Sequence, residues 1–242
     1  MTDVDLQQLR RLFEVMERLR APGGCPWDRA QSHQTLLPFL LEETYETIQA
    51  AEEGSNEDLA EELGDLLVEV AMHSAIAAEA GTFDIGMVAR IATEKMVSRH
   101  PHVFADLEVD GVTAVMDNWE ELKRREKPDR ESALDGIPAA LPALALASAI
   151  LRRQERGHLQ SAETLDPAER ALGALTRLVE DGGEDSPETL VADLLFSVVA
   201  LARQRGVDPE GALRRGAAAQ RKALRSTEIE SRAGEGRRSS ES

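Results

Sequence analysis

The sequence predicts an all-α protein: an antiparallel helical bundle followed by a second, degenerate helical repeat. Three observations carry this. From Asp3 onward, apolar residues recur at three- and four-residue spacing, which lines one face of a helix. Apolar residues make up 42% of the chain but aromatics only 3%, so Leu, Ala and Val must fill the core, and that composition suits helices better than sheets. Set against the first half at an offset of 128 positions, the second half repeats its pattern, with Val179-Glu180-Asp181-Gly182 opposite Ala51-Glu52-Glu53-Gly54.

The elements follow in order. Leu6, Leu9, Leu12, Phe13, Met16 and Leu19 place a first amphipathic helix over Asp3 to Leu19. Ala21-Pro22-Gly23-Gly24-Cys25-Pro26-Trp27-Asp28 cannot continue it, because prolines and glycines interrupt the hydrogen-bond ladder. Trp27 in this loop either plugs the end of the core or lines a site. A second helix starts near Thr35 to Pro38 and stops at Gly54. A third runs from Asn56 as N-cap to about Ala80, stops at Gly81, and offers Leu59, Leu63, Leu66, Val70 and Ala77 as its core stripe. Asp84 to His100 forms a fourth, with Ile85, Val88, Ile91 and Ala92 inward and Pro101 ending it. Thr113 to Lys127 forms a fifth, carrying Val115, Met116, Trp119 and Leu122. In the second half, Asp166-Pro167, Ser186-Pro187 and Asp208-Pro209 each mark a helix start with an N-cap and proline at N1.

The net charge of −17 is unevenly distributed. Between Ala30 and Ala89 there are 13 acidic residues and no Lys or Arg, so local salt bridges cannot neutralise that segment. No basic stripe exists to neutralise phosphates, which argues against a double-stranded nucleic acid partner. Cys25 is the only cysteine, which excludes an intrachain disulfide and a multi-cysteine zinc site. The N-terminus lacks a basic region followed by an apolar run, and the longest apolar stretch, Ile137 to Leu151, is broken by Pro138 and Pro142. The expectation is a cytoplasmic protein that does not engage a membrane.

Within the acidic segment, Glu43 with Glu46 and Glu62 with Asp65 form two pairs at i,i+3 spacing on adjacent helices. Each pair presents its carboxylates on one helical face, and the short Glu53-Gly54-Ser55-Asn56 turn folds the helices back so that four carboxylates converge. Projected at 100° per residue, Glu43 falls among Leu36, Phe39, Leu40, Thr47 and Ala50, where an unpaired carboxylate is costly. Spacing alone leaves two readings, a site for a hard divalent cation such as Mg²⁺ and a solvated acidic hairpin. Lys95 and Arg99, at i,i+4, are either surface charge or two donors for a phosphate chain. His100 and His102 flank Pro101 and read more readily as a helix C-cap than as metal ligands. Trp119 is either core or a stacking surface one turn before Lys123.

Glu42-Glu43-Thr44-Tyr45-Glu46 followed by Glu62-Leu63-Gly64-Asp65 resembles the E-E-x-x-E and E-x-x-D signature of the MazG nucleoside triphosphate pyrophosphohydrolases. The resemblance extends through Gly24-Cys25-Pro26-Trp27-Asp28 and Arg99-His100-Pro101-His102-Val103-Phe104-Ala105-Asp106, and covers roughly Leu6 to Lys127. It implies an all-α, dimeric, Mg²⁺-dependent enzyme, with Mn²⁺ as a substitute, that hydrolyses a nucleoside triphosphate to the monophosphate and pyrophosphate in nucleotide-pool house-cleaning. Carried over by position, Glu43, Glu46, Glu62 and Asp65 are its metal ligands. Glu42, Glu43 and Glu46 are its catalytic set, with Glu42 orienting or deprotonating water. Lys95, Arg99, Trp119, Lys123 and Trp27 bind the substrate.

The second copy departs from this pattern. At the same offset, Glu42, Glu43, Glu46 and Glu62 meet Arg170, Ala171, Ala174 and Leu190, and only Asp193 retains an acid. The expected organisation is therefore a catalytic domain over 1–127, a linker over 128–140, a degenerate domain over 141–227 and a disordered tail over 228–242. Two competing readings are a catalytically silent helical interaction or dimerisation module, and a pyrophosphohydrolase restricted to one nucleotide such as dCTP, dUTP or phosphoribosyl-ATP.

Overall fold

A computed structural model describes the chain except residues 1, 106, 108–109, 112–114, 116–117, 120–121, 123–125, 127–130, 158–165, 181–184 and 241–242, with backbone only over 230–240. The described residues form helices and no strand, in two compact units, Met1–Lys127 and Pro128–Ser242. None of these helices is long and apolar enough to cross a membrane.

The first unit opens with α1 (Asp3–Arg20), which starts in a capping box: Thr2 accepts from the Asp5 amide while the Asp5 carboxylate accepts from the Thr2 amide. The chain then turns tightly into α2 (Pro26–Ala30), a short helix that the density of proline and glycine concealed in the sequence. Gly24 lies against the end of α1, where an added Cβ would run into the carbonyl oxygens of Leu19 and Arg18. Only glycine fits. The helical hairpin α3 (Leu37–Glu53) and α4 (Asn56–Glu79) follows.

The N-cap of α4 is Ser55, not Asn56: Ser55 Oγ accepts from the Asp58 amide, and Asp58 Oδ2 accepts from the Ser55 amide at 2.7 Å. The Ser-x-x-Asp spacing makes this reciprocal pair, which Asn56 cannot. Gly81 ends the helix at φ +68°. Of the expected core stripe of α4, Ala77 is buried and Leu59 and Leu66 are half-buried, but Leu63 and Val70 are not part of it. Val68, Ala71, Met72 and Ile76 pack with Met16, Leu36, Leu12, Phe13 and Leu19, while Leu63 is 51% and Val70 40% exposed. Apolar residues surround much of α4, and the cluster shared with α1 takes in the face from Val68 to Ile76.

Asp84 caps α5 (Ile85–Arg99) by accepting from the Met87 amide at 2.7 Å. Ile85 and Val88 are half-buried as expected, but Ile91 and Ala92 are exposed, and the buried residue of this helix is Arg99. After α6 (Pro101–Phe104), Val115, Asn118, Trp119 and Leu122 are helical, and most of the expected fifth helix lies outside the described residues.

The second unit contains α7 (Ala143–Arg156), α8 (Pro167–Val179), α9 (Pro187–Gln204) and α10 (Pro209–Ser240). Ser186 caps α9 by accepting from the Thr189 amide, and the Asp208 carboxylate accepts from the Glu210 and Gly211 amides at the start of α10. Helix α10 runs through 228–240, where a disordered tail was expected. No proline follows Pro209, so the backbone hydrogen-bond ladder of α10 is not interrupted by a missing donor. Ala149, Ala174, Leu190 and Val199 are buried in this unit.

Candidate functional site

The hairpin of α3 and α4 sets the geometry. The Thr47 hydroxyl on α3 donates to the carbonyl of Glu43 at 2.8 Å and reaches the carbonyl of Glu62 on α4 at 3.4 Å. Thr47 thus lies between the two helices at the level where their carboxylates face each other. One oxygen each from Glu43, Glu62 and Asp65 lies within 4.8 Å of the others. Glu43 and Glu62 are half-buried and Asp65 is exposed. Glu46 is outside this group. With Glu62, Gln49, Glu53 and Asp58 it lines an open cleft of about 450 Å³ beside the cluster. Glu42 is exposed on α3 and also stands outside the cluster.

Burial raises the Glu43 carboxyl above its ordinary range, and the charges of Asp65, Glu46, Glu62 and Glu42 raise it further. Glu62 is raised by burial first and then by Glu46, Asp65, Glu61 and Asp58. Among the described residues no cation contributes to either shift, and the acids repel one another. Glu62 Oε2 is enclosed and has no hydrogen-bond partner among the described residues. Converging oxygens, mutually repelling charges and an orphaned carboxylate oxygen fit a hard divalent cation.

One acid without an assigned role in the sequence is the most buried of the group. Glu69 on α4 is only 7% exposed, its carboxyl is raised by burial and by the charge of Glu43, and its Oε2 has no partner among the described residues. The signal for it was available, since Glu62, Asp65 and Glu69 continue the same i,i+3 and i,i+4 spacing along α4.

The sequence-predicted cations form a separate group on α5. Arg99 is buried, and Glu126 accepts from its Nε at 3.1 Å and its Nη2 at 2.5 Å. The Arg99 guanidinium also stands 5.6 Å from the ring centre of Trp119. Ser98 donates to the same Glu126 carboxylate at 2.8 Å. Glu126 is held below the ordinary glutamate range chiefly by its hydrogen bond to Arg99, with Ser98, Arg99 and Lys95 adding to the effect. Lys95 is exposed, and Lys123 lies outside the described residues. The structure thus places Arg99 beside Trp119 and adds Glu126, which sequence spacing could not reveal because 27 positions separate it from Arg99. His100 is the C-cap of α5, its Nδ1 2.6 Å from the carbonyl of Met96, in keeping with the capping reading.

Trp27 is 53% exposed and meets Phe39 edge to face at 5.7 Å, so it does not plug the core. Its loop is anchored by Arg20, whose Nη1 donates to the carbonyls of Asp28 and Gln31 while Nε and Nη2 each bond Glu79 at 2.8 Å.

In the second unit, the positions that face Glu46 and Glu62 at the 128-residue offset are Ala174 and Leu190, both fully packed. The remaining acid, Asp193, is 3.7 Å from Nη2 of Arg170, the residue opposite Glu42. Among the described residues, no three metal-ligating side chains of this unit converge.

Residues 31–104 match the family model described as the MazG nucleotide pyrophosphohydrolase domain. The chain is 41% identical over 208 residues to the nucleoside triphosphate pyrophosphohydrolase/pyrophosphatase MazG of Thermotoga maritima, covering 84% of this chain and 79% of that protein. It is 36% identical over 227 residues to the nucleoside triphosphate pyrophosphohydrolase of Escherichia coli K12, covering 87% and 83%. A similar protein of the same name from Mycolicibacterium smegmatis is 37% identical over 180 residues, 73% of this chain and 52% of its own.

Proposed function

The chain belongs to the MazG nucleotide pyrophosphohydrolase family, and from that premise we propose that it is a Mg²⁺-dependent nucleoside triphosphate pyrophosphohydrolase of the nucleotide pool, yielding the monophosphate and pyrophosphate. The convergence of Glu43, Glu62 and Asp65 carries the reading, because three oxygens already gathered within 4.8 Å are unfavourable without a cation to share. Glu46, at the edge of the adjoining cleft, is the fourth acid within reach of the same cation. When bound, the cation supplies charge neutralisation on the phosphates and a more acidic water.

The chain's own residues do the rest. Thr47 keeps Glu43 opposed to Glu62, so the ligand set is in place before substrate arrives. Glu43 and Glu62, raised above the ordinary range by burial and by the neighbouring acids, are the carboxylates that gain most from a cation between them. Glu42, exposed on the same helix, orients that water. Arg99 and Lys95 grip the phosphate chain, Arg99 held by Glu126 in a fixed orientation, and Trp119, Lys123 and Trp27 receive the nucleoside. A second copy of the chain covers the apolar residues that α4 leaves open at Leu63 and Val70.

Product analysis decides the bond that is cut. Incubation of the full chain with a panel of ribo- and deoxynucleoside triphosphates and Mg²⁺ is expected to release pyrophosphate, and orthophosphate with diphosphate in its place rules the reaction out. Glu43→Ala and Asp65→Ala are expected to lower turnover on the order of 10²–10³-fold, equivalent to the several kcal/mol a bound cation supplies. Circular dichroism should show both variants fully helical.

A further inference from the structure

Beyond the oxygen cluster, α4 carries a second set of enclosed polar atoms. Glu62, Glu69 and His73 fall within about 40° of one another around the helix, in one line along its length. Each ends in a buried atom without a hydrogen-bond partner among the described residues: Oε2 of Glu62, Oε2 of Glu69 and Nε2 of His73. Glu62 belongs to the cluster already described. Glu69 and His73, at i,i+4, are one turn apart on the same face.

The other nitrogen of His73 is engaged. Its Nδ1 is 2.7 Å from Nδ1 of His33, in rings inclined by only 6° with centres 5.0 Å apart. Face-to-face stacking cannot combine that nitrogen distance with that centre separation. The two rings lie edge to edge in one plane, joined by a single N–H···N hydrogen bond. With His73 as donor, its Nε2 presents a lone pair. The opposite arrangement would bury an N–H with nothing to receive it, which is the costlier choice. A histidine whose Nδ1–H is fixed by a neighbour and whose Nε2 lone pair is free is arranged as metal-ligating histidines are. The second unit offers a contrast: opposite Glu69 stands Ser197, whose hydroxyl is satisfied by the carbonyl of Asp193 at 2.7 Å, and opposite His73 stands Leu201.

We propose that Glu69 Oε2 and His73 Nε2 are ligands of a second cation site, adjoining the Glu43, Glu62 and Asp65 cluster along α4. The imidazole nitrogen selects a divalent transition cation of the Mn²⁺, Co²⁺ and Zn²⁺ group over Mg²⁺. His33 is a positioning residue that fixes the tautomer of His73. The proposal is independent of the nucleotide reaction, since it concerns the metal alone.

Pulsed electron paramagnetic resonance on the full chain loaded with Mn²⁺ in excess Mg²⁺ tests it. The expected result is one Mn²⁺ per chain with ¹⁴N coupling, retained in Asp65→Asn, lost in His73→Gln, and replaced by a loss of tight Mn²⁺ binding in Glu69→Gln. His33→Phe is expected to weaken the site roughly 10–100-fold, the usual effect of removing a partner that orients a ligand. The wild-type spectrum alone overturns the proposal if it shows no nitrogen coupling, whatever the folding of the variants. Coupling that persists in His73→Gln, or unchanged Mn²⁺ affinity in Glu69→Gln, also overturns it.

Discussion

Asp65 shows how a single carboxylate acts differently with and without a cation. Its charge helps to raise Glu43 and Glu62, whose native forms then hold protons more tightly than the unfolded chain does. A group raised in this way weakens the native state as pH climbs from its unfolded value through its native one. In metal-free buffer Asp65→Asn is therefore expected to melt above wild type, with the gap widest at neutral pH and closing as the solution is acidified. His73, lowered by burial, shifts both proteins alike and drops out of that comparison. Thermal melts of the two proteins in chelator across pH 4.5–7.5 check this, and a pH-independent gap contradicts it. Glu79 behaves oppositely, since its bond to Arg20 holds it below the ordinary range. Its contribution is complete above the unfolded value and fades as pH falls through the depressed native one. At this scale the sequence was informative where acids repeat at helical spacing on two helices joined by a short turn, as with Glu43 on α3 and Glu62 and Asp65 on α4. It was silent on His33 with His73 and on Arg99 with Glu126, because separations of 40 and 27 positions leave no periodic trace of either contact.

The elements were legible from their boundaries more than from their faces. Caps and prolines placed the starts of α8, α9 and α10, and Gly81 placed the end of α4, because each acts through local backbone geometry. The buried face of α4 was misread at Leu63 and Val70, since an apolar residue reports that burial is favourable without naming what covers it. The hairpin that carries the site depends on its turn. Ser55→Ala removes one arm of the capping box and is expected to cost about 1 kcal/mol, readable in urea unfolding. Gly24→Ala forces a methyl against the end of α1 and is expected to cost about 1–3 kcal/mol by displacing the loop that carries Trp27. An unchanged midpoint in either variant shows that the contact is not maintained in solution.

For the whole molecule, the exposed apolar residues of α4 and the packed ligand positions of the second unit make separate predictions. Leu63→Glu combined with Val70→Glu is expected to shift sedimentation from dimer to monomer, and a wild type that sediments as a monomer at micromolar concentration removes the partner from the reading. Asp193→Asn is expected to leave Mg²⁺ binding and turnover unchanged, because the acid faces Arg170 and its neighbours Ala174 and Leu190 are core. The ion pair between Arg170 and Asp193 has one more consequence. On the proposed reading the first unit leaves its acids to a diffusible ion, whereas the second carries its counter-charge on a covalently attached guanidinium. A chelator can strip the former and has no purchase on the latter. Calorimetry of the full chain before and after chelation should lower one thermal transition and leave the other in place, so that the two halves of one polypeptide respond to the ionic composition of the cell on different terms.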